Sequence, residues 1–148
     1  MLPVPQVRSV AELRRVVTQL SAAYKADPWG GKVDYTEDPR RVEWCRVNGR
    51  LGDLAGLDCD DVAAHSKASL FDLDPHARMW VLISAGPWSH CVCEFQADGK
   101  RWIADTNGVN EIPWGEEVKA FVQRSFYPDA AYEDAYAVLY AFADPRRI

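Results

Sequence analysis

A chain of 148 residues suits one compact domain, residues 1–148, built on one core. With 48% hydrophobic and 26% charged residues the composition is that of an ordinary globular protein. The formal charge of −5, from 22 acidic and 17 basic side chains, argues against nucleic acid as a partner, since that needs a clustered basic face. No apolar run approaches the ~18 residues of a membrane-spanning helix, so no membrane partner is expected. The opening MLPVPQVRSVAEL has neither the charged start nor the apolar stretch of an export signal, which predicts a cytoplasmic protein. Its four cysteines, at 45, 59, 91 and 93, are then expected as reduced thiols rather than a disulfide framework.

Ser9-Val-Ala-Glu12 reads as a capping box that opens a helix. Val10, Leu13, Val16, Val17, Leu20 and Tyr24 follow at helical spacing, and Pro28-Trp-Gly-Gly31 ends it. A shorter helix is expected after Asp38-Pro39, followed by a loop through Gly49, Gly52 and Gly56. A third helix starts near Cys59 and runs through Val62, Ala63, Ser66 and Leu70 to about Leu73. After Asp74-Pro75 the pattern turns strand-like. Residues 77–84 form a continuous apolar run, and 89–96 and 100–106 flank Asp98-Gly99, a strong two-residue hairpin signal. Residues 108–113 read as a turn or connector, 114–125 as a helix, and 135–143 as a strand or, failing that, a helix. Helices first and an antiparallel sheet afterwards make the fold class α+β.

Cys59 sits where a glycine-rich loop meets a helix, with Asp58 as N-cap. Free N–H groups and the positive dipole end at such a position favour a thiolate. Asp58, Asp60 and Asp61 oppose it as like charges, so a nearby imidazolium must outweigh them. His90 can supply it. If Asp98-Gly99 is a two-residue turn, the numbers of facing residues sum to 197, so His90 faces Asn107 and Val92 faces Asp105. His90 and Asp105 then share a face as diagonal neighbours, roughly 7–8 Å apart at the backbone. A loop one residue longer would flip the parity and separate them. Cys59, His90 and Asp105 together fit the nucleophile, base and orienter of covalent catalysis, with Asn107 as a back-up orienter.

GLDCDDVAAHSKASL (56–70), SHCVCEF (89–95) and DGKRWIADTNG (98–108) resemble three successive blocks of the transglutaminase-like cysteine protease superfamily, most of all its small bacterial and phage members. In that superfamily a Cys opens a helix ahead of an acidic pair, a His follows on a strand, and an Asp ends the neighbouring strand. The resemblance implies a papain-like α+β core with N-terminal helices packed on the sheet. It also implies thiol attack on a peptide or protein amide, in hydrolysis or acyl transfer, without a cofactor. Leu57-Asp58 stands where the family often has Gly before its Cys–Asp block. An upstream aromatic or polar side chain often completes the oxyanion hole in the family; Trp29, Tyr35 and Trp44 are all open to that role.

Other residues have blander readings. Cys91 and Cys93 share the strand face opposite His90 with Phe95 and read as core thiols; a zinc site built on them lacks paired Cys spacing, so no metal is expected. Cys45 falls mid-helix beside Trp44, where burial is its expected role. His65 and His76 are expected at the surface. Asp60 and Asp61 suit helix capping, and one of them, Asp60 first, substrate binding. An alternative reading keeps the fold and drops the chemistry: a degenerate domain acting as a structural or interaction component with a protein assembly partner, such as a phage virion protein. The acidic crowd around Cys59 speaks for it.

Overall fold

The computed structural model describes residues 5–26, 59–84 and 89–138, with the side chains of residues 22–26, 60, 61 and 138 outside that description. The turn expected at 28–31, the helix after Pro39, the glycine loop at 49–56 and residues 139–143 of the last expected strand lie outside the described residues.

Helix α1 (Val10–Ala26) begins where the sequence places it. Ser9 Oγ accepts the Glu12 N–H at 3.1 Å, while the Glu12 carboxylate accepts the Arg8 N–H at 2.8 Å, one residue ahead of the expected box. Val10, Leu13, Val17 and Leu20 are buried along one stripe, as the 3.6-residue period requires. The preceding segment is tied to the end of the next helix. Val7 donates its N–H to the Ser69 carbonyl, and Gln6 spans from the Ala68 carbonyl to the Asp72 N–H.

Helix α2 (Cys59–Ser69) packs between α1 and the sheet. Its Ala63, Ala64, Ser66, Ala68 and Ser69 let both neighbours approach closely, and all are buried. The two hydroxyls are satisfied within the helix, Ser66 on the Val62 carbonyl at 2.7 Å and Ser69 on the Ser66 carbonyl at 2.9 Å. Because the helix is wedged on two sides, His65 is only 2% exposed, which corrects its expected surface position. His76 is exposed as expected. The helix also stops at Ser69, and residues 70–73 continue as turns.

Among the described residues the sheet has five strands, β1 (Arg78–Ser84), β2 (Ser89–Ala97), β3 (Lys100–Asp105), β4 (Gly108–Ile112) and β5 (Tyr132–Val138), in the order β4-β3-β2-β1-β5. All neighbours are antiparallel, so the fold is α+β. Strand β4 replaces the connector expected at 108–113. Its Gly and Asn have poor strand propensity, but backbone pairing from Asp105↔Gly108 to Arg101↔Ile112 overrides it. Helix α3 (Val118–Phe126) starts four residues later than expected, because Trp114-Gly115 turns with Gly115 at φ +87°. Strand β5 begins at Tyr132, three residues before its expected start.

Strand alternation gives the sheet two apolar faces. Met79, Val81, Cys91, Cys93, Phe95 and Ala104 pack with α1 and α2. Leu82, Val92, Ile103 and Ile112 pack with Val118, Phe121 and Val122 of α3. Arg101 anchors the segment leading into α3: it pairs with Glu94 at 2.7 Å and donates to the carbonyls of Pro113 and Glu116. Glu94 also accepts the Trp80 indole N–H at 3.0 Å.

Candidate functional site

The β2–β3 turn decides the geometry of the site. Asp98 and Gly99 have φ of +57° and +72°, the two positive values of a type I′ turn. Pairs from Ala97↔Lys100 to Cys93↔Ala104 follow, and their numbers sum to 197 as the sequence predicts. His90 and Asp105 therefore share the α3 face, and His90 Nε2 lies 2.8 Å from Asp105 Oδ2. The pair is buried, with His90 6% and Asp105 0% exposed, so the bond is shielded from competing water.

Asp105 is the hub. Besides the imidazole, it accepts the backbone N–H of Asn107 on Oδ1 at 2.9 Å and the Asn107 side-chain amide on Oδ2 at 3.3 Å. Asn107 does not face His90, because the chain turns after Asp105 to enter β4. It supports the carboxylate and donates to Tyr127 Oη at 3.0 Å. Tyr127, the C-cap of α3, sets its ring edgewise to His90, with centroids 5.1 Å apart and planes at 67°. Nothing in the sequence marks Tyr127; the contact arises because α3 returns its C-terminal end to the mouth of β2.

Cys59 is the first residue of α2 and is half-buried against the α1/α2 core. Beyond the far end of this helix, Asp74 accepts the Gln96 N–H near the end of β2. At the other end of the sheet β2 opens with Ser89 and His90 and β3 ends with Asp105. Electrostatics connect Cys59 to two phenols near that end. Burial raises the Tyr127 phenol first of all, with the charges of Asp105 and Cys59 adding to the rise. The Tyr132 phenol is raised chiefly by burial and then by Tyr127, Cys59 and Asp105. Both phenols stay neutral, and both lie within electrostatic reach of the Cys59 sulfur.

The other thiols are unlike Cys59. Cys91 and Cys93 are buried on the opposite face of β2, as expected for core residues, and burial pushes the Cys93 thiol up to about 12. Among the described residues no three His, Cys, Asp or Glu side chains converge as metal ligands would. Of the upstream candidates, Trp29, Tyr35 and Trp44, with Cys45, lie outside the described residues, as does the side chain of Asp60. No described helix is long and apolar enough to cross a membrane.

No protein-family model, curated protein or solved structure matches the chain.

Proposed function

We propose that this domain is a thiol-dependent hydrolase or acyl transferase acting on peptide or amide bonds, on a papain-like, transglutaminase-like core. The observation that carries the reading is the buried bond between His90 Nε2 and Asp105 Oδ2. A carboxylate only accepts, so Nε2 holds the proton and Nδ1 is left as the basic nitrogen. That tautomer is the one a general base needs. The position of Cys59 at the start of α2 adds a helix dipole that favours a thiolate.

In this mechanism Nδ1 takes the Cys59 proton. The sulfur attacks the carbonyl carbon, and the carbonyl π pair moves onto oxygen. Collapse of the tetrahedral species breaks the C–N bond, and the imidazolium gives its proton to the departing amine. The thioester on Cys59 is then opened by water or by a second amine, whose proton returns to Nδ1. Asp105 holds the ring and stabilises the imidazolium without taking its proton.

Iodoacetamide labelling with peptide mapping tests the ion pair. Cys59 is expected to react at pH about 6, well below an ordinary thiol pKa of ~8.5, and His90→Ala is expected to restore ordinary thiol behaviour. A Cys59 that reacts only as an ordinary thiol, with or without His90, would leave the degenerate structural or assembly domain as the better reading.

A further inference from the structure

We propose that Tyr127 is a positioning residue that holds the plane of the His90 imidazole toward Cys59. The role rests on the acyl-transfer reading above and goes beyond it by adding a member that lies outside the three sequence blocks.

A single hydrogen bond at Nε2 fixes one atom of the imidazole and leaves the ring free to swivel about that bond. A second contact on the ring removes this freedom. Tyr127 provides it edge-on, at 5.1 Å between centroids. The contact closes a circuit: His90 donates to Asp105, Asn107 donates to both Asp105 and Tyr127, and Tyr127 returns to His90. Tyr127 itself has little freedom, since its N–H donates to the carbonyls of Gln123 and Val122 and its carbonyl accepts the Ala130 N–H. Its phenol, kept neutral mainly by burial, adds no negative charge beside a thiolate.

The test compares Tyr127→Leu and Tyr127→Phe in the full chain, alone and combined with His90→Ala. The readouts are the pH profile of Cys59 alkylation by iodoacetamide and the 15N spectrum of the His90 ring. Tyr127→Leu is expected to slow alkylation at pH 6 about ten-fold, the size of an edge-on aromatic contact, and to move the profile toward an ordinary thiol. The two His90 ring nitrogens should then shift toward averaged values. Tyr127→Phe keeps the ring and is expected to stay within about three-fold of wild type. Should the Leu protein not fold, a Phe variant that loses the His90-dependent reactivity overturns the role by itself. A Leu variant with the wild-type profile overturns the role, as does a Phe variant as slow as Leu. So does an equal loss from Tyr127→Leu when His90 is already Ala, which would show that Tyr127 does not act through the imidazole. Failure of the underlying reading looks different: wild-type Cys59 would then show no His90-dependent reactivity, and the positioning role falls with it.

Discussion

Cys93 lies between its strand neighbours Met79 and Ala104, fully enclosed beneath α2, and its thiol is pushed up to about 12 by burial. Cys59 is half-buried at a helix start, and its charge acts on Tyr127, which packs against His90. Between these two thiols the settings, not the side chain, determine which can act as a nucleophile. Cys93 has a measurable consequence for stability. Above about pH 9 the unfolded chain has lost this proton and the folded chain keeps it. The folded state then binds more protons, and stability falls as pH rises toward the folded value. Tyr127 and Tyr132, both raised, act in the same direction but only from about pH 10, while Lys67, lowered chiefly by burial, partly offsets them. Urea midpoints measured from neutral to alkaline pH are expected to drop from about pH 9 in the wild type and about one unit later in Cys93→Ala. Superimposable pH curves for the two proteins would contradict the assignment.

At the scale of elements, the β2–β3 hairpin carries the most weight, since one residue more or less in its turn would put His90 and Asp105 on opposite faces. A Cβ at Gly99 meets nothing within 4 Å, so Gly99→Ala costs only backbone strain at φ +72°. The expected loss is about 1 kcal/mol in urea denaturation, with the Cys59 alkylation profile unchanged. A loss several times larger would mean that the turn is not the one described. This hairpin explains why half of the site was legible in the sequence: a two-residue turn and a period of two suffice to place a histidine against an aspartate. The rest needed tertiary information. Strand β4 has Gly and Asn and is recognised only by its pairing with β3. Trp114-Gly115 reads as helix until Gly115 is seen to take a positive φ. His65 is buried because its helix packs between α1 and the sheet, which the helix's own sequence does not announce. Tyr127 has no signal of its own, because its contact depends on where α3 ends.

On the scale of the whole molecule, the sheet divides the described residues into two layers, α1 and α2 on one face and α3 on the other. Cys59 belongs to the first layer, and His90, Asp105 and Tyr127 to the second. They can meet only past the end of the sheet, where β1 and β3 finish and β2, β4 and β5 begin. The charge of Cys59 acts on Tyr127 and Tyr132 at that end, while the other end of α2 and the segment after it are held by Asp74 on Gln96 and by Val7 and Gln6 on Ser69, Ala68 and Asp72. In the proposed mechanism these two layers cooperate in one acyl-transfer step. Its most direct test is mass spectrometry of the intact and digested protein after brief exposure to an activated acetate ester such as nitrophenyl acetate. An acetyl thioester is expected on Cys59 alone, formed in a burst, slowly released to water, and lost in His90→Ala. Acetylation spread over several thiols, or unchanged when His90 is removed, would contradict it.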